Sequence, residues 1–373
     1  KGYDVVGIDI VKDKVDKINN GIYPISGKEP GLGALLKKAV NERKLRASLD
    51  YSECKNADVI IICVETPLDP KTKKMDLRAL TSATTSVGKN MSRGALISVE
   101  STIAPLTTNN IIRPMLEKES GLKAGEDFYL AHCPERLMAG RLLVNLETYD
   151  RVIGGIDEKS AEKAKNLYSI ICKGKLHVTD CLTAELVKTA ENTYRDVQIA
   201  FANEIALICE ELGIDAFEVR ELVNTCPFRD MHIPGPGVGG HCLPKDPLLL
   251  LSSLEKYDSK LVKNARLLND SMPLHVVQLV EDALEEANLK MKDSIITLLG
   301  LSYLENSGDT RNSPSIIIYE ALKKRGANIK IHDPYASFEG IAVIRSLEDA
   351  LTGADCAVLL TAHNEYKNMR FSR

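Results

Sequence analysis

Apolar and polar positions along this chain change period twice. Up to about residue 180, short runs rich in β-branched residues alternate with stretches that are apolar every three or four positions. The runs predict strands at Asp4–Ile10, Ala57–Val64, Ala95–Val99, Phe128–His132, Val152–Gly154 and Leu176–Val178; the stretches predict helices at Lys12–Asn19, Leu77–Asn90 and Lys159–Ile171. Apolar strands alternating with helices specify a parallel sheet wound on both faces. From Thr183, whose hydroxyl is suited to an N-cap, a helical period continues to Leu212, where Gly213 supplies the C-cap. More helix follows at 215–224 and 246–290. From Ser294 the alternation returns, with strands Ile295–Leu301, Asn328–His332 and Cys356–Thr361 and a helix at 314–325. The order is therefore α/β over 1–180, a helical connector over 181–290, and a second, smaller α/β domain over 291–373.

The 373 residues suffice for two or three domains. Lys and Arg number 48 against 52 Asp and Glu, a net charge of −4, which argues against nucleic acid or an anionic membrane as the main partner. With 44% hydrophobic and 27% charged residues the composition is that of an ordered soluble protein. No apolar run has the length of a membrane span, and no basic-then-apolar leader opens the chain. Nine cysteines, odd in number and without a C-x-x-C pair, point to reduced thiols and a cytoplasmic location. Both ends read as cut. Lys1-Gly2-Tyr3-Asp4 leads at once into a strand, and Asn368 to Arg373 follow another with no closing element.

Candidate chemistry gathers at strand ends. Asp9 closes the first strand and Lys14 follows on the next helix; an acidic residue there accepts hydrogen bonds from adenosine ribose hydroxyls and disfavours a 2′-phosphate, selecting NAD over NADP. The same Asp also reads as an ordinary solvated strand end. The glycine-rich phosphate loop expected before such a strand is not in the sequence given. Neither Gly31-Leu32-Gly33, preceded by Pro30, nor Gly237-Val238-Gly239-Gly240 is fed by a strand, so neither replaces it. Two further strands end in Glu65-Thr66-Pro67 and Glu100-Ser101-Thr102, which puts Thr66 and Thr102 either at a cofactor or in plain strand-end caps.

The most informative segment runs from Gly235 to Pro247, four glycines within six residues followed by His241-Cys242 and a helix start at Pro244–Pro247. Glycines allow close backbone approach, and helix-terminal N–H groups favour a thiolate at Cys242. The other cysteines fall mostly in apolar runs and read as structural. Lys188, Asn192 and Arg195, spaced i, i+4, i+7, share one face of the long helix and point either into a cleft or into water. His132-Cys133-Pro134-Glu135-Arg136 ends a strand; Glu135 and Arg136 read as substrate-binding or proton-transfer groups, or as a surface ion pair. Gly308-Asp309-Thr310-Arg311 opens a helix with an anion-friendly start. The His-Cys pairs lack zinc-site spacing, and no metal is expected.

Taken together, Asp9…Lys14, Glu65-Thr66-Pro67, Glu100-Ser101-Thr102, Pro134-Glu135, Glu185…Lys188…Asn192, the Gly-Val-Gly-Gly-His-Cys-Leu-Pro-Lys-Asp-Pro loop, Asp309-Thr310-Arg311 and His332-Asp333-Pro334 resemble the UDP-sugar 6-dehydrogenase family over nearly the whole chain, in matching order. Arg136, His241 and Arg151-Val-Ile-Gly-Gly155 are similar to its N-acetylated-sugar branch, whereas Lys245 looks like the UDP-glucose branch. The resemblance implies a Rossmann-like NAD-binding domain, a central dimerisation and catalytic region, and a Rossmann-like UDP-sugar-binding domain. It implies NAD-dependent four-electron oxidation of UDP-N-acetyl-D-mannosamine at C6 through a thiohemiacetal and thioester on Cys242, the alternatives being UDP-glucose or UDP-N-acetylglucosamine as substrate, or a non-catalytic nucleotide-sugar-binding module. By the same resemblance, Lys188, Asn192, Asp246, Glu135 and Thr102 serve catalysis; Asp9, Lys14, Thr66, Thr102 and Arg311 hold NAD; and Arg136, Leu137, Lys188, Asn192, Arg195, Arg229, His232, Gly237 and Tyr303 hold the sugar nucleotide. Leu304 stands where the glucose branch carries Lys. A homodimer or higher homo-oligomer built on the long helix is implied, with Phe201, Ile205, Ile208 and Leu212 as its apolar surface or as intramolecular core.

Overall fold

A computed structural model describes residues 2–24, 29–69, 72–138, 140–367 and 369. Lys1, Asn368 and Arg370–Arg373, named above at the chain ends, lie outside the described residues. The contacts divide the chain into two compact units, one reaching to Ala190 and taking in Leu248–Glu255, the other formed by Glu191–Pro247 and the chain from Lys256 onward.

The first unit alternates strand and helix. Its elements are β1 (Val5–Ile8), α1 (Lys12–Asn19), α2 (Leu32–Asn41), β2 (Leu45–Ser48), β3 (Val59–Ile62), α3 (Arg78–Asn90), β4 (Leu96–Val99), α4 (Arg113–Ser120), β5 (Tyr129–His132), α5 (Leu142–Thr148), β6 (Arg151–Gly155), α6 (Glu158–Ser169) and β7 (Leu176–Asp180). Two sheets form: a parallel pair β1-β2, and five strands in the order β3-β4-β5-β6-β7. Every residue of β4 is buried, as expected of a strand covered on both faces, and Ile97, Val99, Leu116 and Leu130 centre the core there.

Two expectations change. The strands are not all parallel, because β6 meets β5 antiparallel through only Ala131↔Gly155 and His132↔Gly154. The seven-residue α5 rises only about 10 Å, too little to carry the chain back along a strand, so β6 re-enters from the end where β5 left. In addition, β2 was not expected: the alternation of Leu-Arg-Ala-Ser lasts only four residues and lacks β-branched residues, and pairing with β1 makes it a strand.

Helix α7 (Cys181–Leu212) starts two residues before Thr183. The cap belongs to Asp180, whose carboxylate accepts from Thr183 N at 2.9 Å and from Thr183 Oγ1 at 2.6 Å. Gly213 ends the helix at φ +68°, as its position suggested, and Ile214 N donates back to Cys209 O at 3.0 Å. The chain continues with α8 (Ala216–Asn224), α9 (Asp246–Ser252), most of which belongs to the first unit, and then, in the second, α10 (Lys260–Glu286), β8 (Ile295–Leu299), α11 (Pro314–Lys324), β9 (Asn328–His332), α12 (Leu347–Leu351) and β10 (Cys356–Leu359). The helical stretch expected over 246–290 is therefore made of two helices. The hydroxyls of Ser252 and Ser253 donate to carbonyl oxygens, Leu249 O at 2.7 Å and Pro105 O at 2.9 Å, and the chain leaves the helix there. Strands β10-β8-β9 form a parallel sheet with α10 and α11 against it, over a core of Val277, Ile296, Leu298, Ile318 and Leu322. No helix among the described residues is long and apolar enough to cross a membrane.

Candidate active site

In the first unit, polar groups sit beyond the carboxyl ends of the strands, where open α/β sheets bind ligands. After β1, Asp9 accepts from Val11 N at 2.9 Å through Oδ1 and pairs with Lys14 Nζ at 3.4 Å through Oδ2. Each oxygen keeps a lone pair, so the residues present fit the ribose end of a dinucleotide. After β3 and β4 the Thr66 hydroxyl donates to Thr102 O at 2.6 Å, which brings together two residues singled out in the sequence. After β5 comes Glu135, whose carbonyl accepts from Lys188 Nζ at 2.7 Å and whose carboxylate lies 3.5 Å from the same ammonium. Lys188 is thus inside, only 7% exposed, and not on a solvated face. Arg136 donates to Asp150 O at 2.9 Å, and Leu137 N donates to the Glu135 carboxylate.

Fully buried His132, at the end of β5, is pushed down to about 3 by burial, against the nearby Val99 backbone and with the Lys188 ammonium adding to the effect. Its ring is neutral, and the sequence alone assigned it no role. Glu185, which the sequence presents only as part of the Glu185…Lys188…Asn192 motif, also holds a turn in place. It accepts from Leu106 N and Thr108 N at 2.7 Å each, which pins the turn at 105–106; burial pushes its carboxyl up although both hydrogen bonds oppose this. A further unannounced cluster joins Glu100, which accepts from Tyr168 Oη at 2.6 Å, to the Arg151 guanidinium 3.5 Å away and stacked over the Tyr168 ring.

In the second unit, Asn192 Nδ2 donates to the Asp246 carboxylate, and Lys245 Nζ lies 3.4 Å from its other oxygen. Asp246 is fully buried and Lys245 nearly so, while Cys242 is exposed. The backbone N–H groups of Lys245 and Asp246 donate to Cys242 O at 3.0 and 2.8 Å. These two bonds close the turn at Cys242 O, and the helix itself starts at Asp246.

The glycines before Cys242 are required by what lies against them. A Cβ on Gly239 would stand 2.3 Å from Tyr303 Cβ, and Gly240, at φ +87°, would meet the Tyr303 ring at 2.9 Å. Gly240 N donates to Arg311 O at 2.8 Å, and Asn312 Nδ2 donates to Gly240 O at 2.9 Å. The Arg311 guanidinium is held by Asp309 and lies within electrostatic reach of Cys242; Asp309 and Cys242 both favour its charge. Burial pushes the Tyr303 hydroxyl up, with Asp309 adding to it. Gly237, at φ +126°, faces Asn269 O and Pro273 on α10. Arg195 and Arg229 are exposed; burial, with the charge of Arg195 as a lesser cause, lowers His232. Leu304 is 43% exposed.

The remaining cysteines bear out the structural reading for Cys54, Cys133, Cys172, Cys181 and Cys209, which are buried, but Cys63 and Cys226 are exposed. No cluster of three or more His, Cys, Asp or Glu among the described residues could hold a metal ion.

Comparison with known proteins bears on all three parts of the chain. Residues 1–172 match the NAD binding domain of the UDP-glucose/GDP-mannose dehydrogenase family, 182–271 its central domain, and 297–373 its UDP binding domain. A UDP-N-acetyl-D-mannosamine dehydrogenase from Pyrococcus horikoshii is 44% identical over 99% of this chain and 86% of its own length. Its solved counterpart, a UDP-D-ManNAc dehydrogenase from the same organism, has a TM-score of 0.93 over 99% of this chain and 86% of that one, at 43% identity. An NDP-N-acetyl-D-galactosaminuronic acid dehydrogenase from Methanosarcina mazei has a TM-score of 0.89 at 38% identity, covering 98% of this chain and 82% of that one. The chain belongs to the UDP-glucose/GDP-mannose dehydrogenase family and is an NAD-dependent oxidoreductase of UDP-sugars.

Proposed function

We propose that this protein oxidises the C6 hydroxyl of UDP-N-acetyl-D-mannosamine to the carboxylate through a covalent intermediate on Cys242. The observation that carries the reading is an exposed thiol on a loop whose glycines are clamped by Tyr303 and Arg311, next to a buried Asp246 fixed by Asn192. The names of the relatives from Pyrococcus horikoshii support this sugar.

NAD, when bound, accepts one hydride in each of the two oxidations. Asp9, Lys14, Thr66, Thr102 and Arg311 would hold it. In the first oxidation the C6 hydroxyl loses its proton to a group of the Lys188, Asp246, Glu135 and Thr102 set. The Cys242 thiolate then adds to the aldehyde carbon, a C–S bond forms, and the oxygen takes a proton. That thiohemiacetal loses its second hydride and its hydroxyl proton to become a thioester. Water then adds to the carbonyl, the C–S bond breaks, the thiolate leaves and the acid loses its proton. Lys188 and Asn192 stabilise the oxyanion in each addition. Arg136, Leu137, Arg195, Arg229, His232, Gly237 and Tyr303, together with Lys188 and Asn192, would bind the sugar nucleotide.

This division of labour assigns NAD binding to 1–180, dimerisation and catalysis to 181–290 and UDP-sugar binding to 291–373. Exposed Leu186, Tyr194, Phe201, Ile208 and Leu212 on α7 support a homodimer. The reading places the protein in the cytoplasm, where free thiols persist. Incubation with UDP-N-acetyl-D-mannosamine, UDP-N-acetylglucosamine and UDP-glucose, counting NADH per sugar consumed, tests it. Two NADH with the first sugar are expected. One NADH would exclude the double oxidation, and two with another sugar alone would move the substrate; none with any sugar would leave a binding module.

A further inference from the structure

The glycine loop needs an anchor at its upstream end as well as at Cys242. Gly235 N donates to Asn203 Oδ1 at 2.9 Å. Asn203 Nδ2 donates to Asn269 Oδ1 at 3.0 Å, and Asn269 Nδ2 donates to both the backbone and the carboxylate of Asp196 at 2.9 Å. The Arg266 guanidinium closes the chain on the same carboxylate and reaches Asp270 at 2.8 Å. Asp196, Asn203, Asn269 and Arg266 are all at least 96% buried, given exposures of 0%, 0%, 1% and 4%.

Four polar groups buried along α7 and α10 are costly unless satisfied; Asp196 does this through Oδ1 and leaves Oδ2 without a hydrogen bond, and the donors and acceptors from Arg266 to Gly235 alternate in one direction only. Arg266 and Asp196 fix the orientation of the Asn269 amide. Asn269 fixes that of Asn203, and Asn203 then offers its oxygen to the loop. The far side of the loop closes on Asn269 O and Pro273, which a Cβ on Gly237 would meet at 3.2 Å, and its φ of +126° favours glycine there.

We infer that Asn203 and Asn269 are positioning residues which, locked by Asp196 and Arg266, set the backbone of the loop that presents Cys242. The inference rests on the function proposed for Cys242. It assigns these residues to the covalent half of the reaction, since a loop freed at Gly235 presents its thiol less well to the nascent aldehyde.

The test uses the full chain with Asn203→Ala, which removes both bonds, and Asn203→Asp, which keeps an acceptor for Gly235 N but turns an acceptor toward Asn269 Oδ1. Amide hydrogen exchange over 235–242, the rate of Cys242 alkylation by iodoacetamide, and aldehyde trapped by hydroxylamine during turnover are measured. With one hydrogen bond lost, loop exchange is expected to rise about tenfold in Asn203→Ala with α7 and α10 still protected. Alkylation is expected to change at least about threefold, and trapped aldehyde to appear with KM for the sugar within about twofold of wild type. Asn203→Asp is expected to fall between the two. Folded variants with wild-type exchange, alkylation and no released aldehyde would overturn the inference, and so would unfolding of both variants, which would make the network a scaffold only. Failure of the Cys242 chemistry itself shows in the wild type, as fewer than two NADH per sugar; exchange and alkylation need no substrate and are read independently of it.

Discussion

At the scale of single residues, the site depends on how burial sorts groups of the same type. Cys133 and Cys181 are pushed up to about 12 by burial and stay protonated, whereas Cys242 is exposed on its loop. Residue type and glycine context made Cys242 legible in the sequence, and helical spacing did the same for Lys188 and Asn192. That His132 ends a strand was legible, but its complete burial was not, because the local sequence does not say how deeply that strand end lies in the core. Its folded pKa near 3 lies below the ordinary histidine value, so the unfolded chain binds the extra proton as pH falls. Stability contributed by the neutral ring is complete above about pH 6.5 and is lost toward pH 3, at up to about 1.4 kcal/mol per pH unit. Thermal unfolding of His132→Gln between pH 7 and 4 is expected to show a visibly flatter fall in Tm than wild type. Parallel curves would remove His132 from the acid sensitivity.

At the scale of elements, α7 is the instructive case. Its period was correctly read as helix, but its polarity is inverted relative to a surface helix: Glu185, Lys188, Asp196 and Asn203 face inward while Tyr194, Phe201 and Leu212 face out. Periodicity reports that a face exists and not which side meets solvent, so the buried polar stripe was only half recognised. The turn chemistry was legible at Gly213 and misassigned at Thr183, which lies inside the helix and donates its own amide to the capping Asp180 carboxylate. The Cys242 loop yields a sharper expectation. Gly239→Ala drives a methyl carbon into Tyr303 and is expected to cost about 1–3 kcal/mol, read as a lowered Tm. Gly33→Ala on α2, where nothing lies within 4 Å of the new carbon, is expected to keep or raise Tm. Equal losses at the two positions would contradict the close approach of loop and ring.

At the scale of the whole molecule, the α/β–helical–α/β order was legible because periods of two and 3.6 residues alternate over long stretches. The antiparallel entry of β6 was not, since pairing direction depends on where a short connection returns the chain. The exposed apolar stripe of α7 supports self-association: Phe201→Glu is expected to shift the mass in sedimentation from dimer toward monomer. A wild-type protein already monomeric at micromolar concentration would count against that assembly. The chemistry is tested most directly by acid-quenching the enzyme during turnover of UDP-N-acetyl-D-mannosamine and mapping its peptides by mass spectrometry. A sugar-nucleotide adduct is expected on the peptide containing Cys242, with none in Cys242→Ser and no free acid from that variant. An unmodified Cys242 peptide together with acid production by Cys242→Ser would contradict the thioester route.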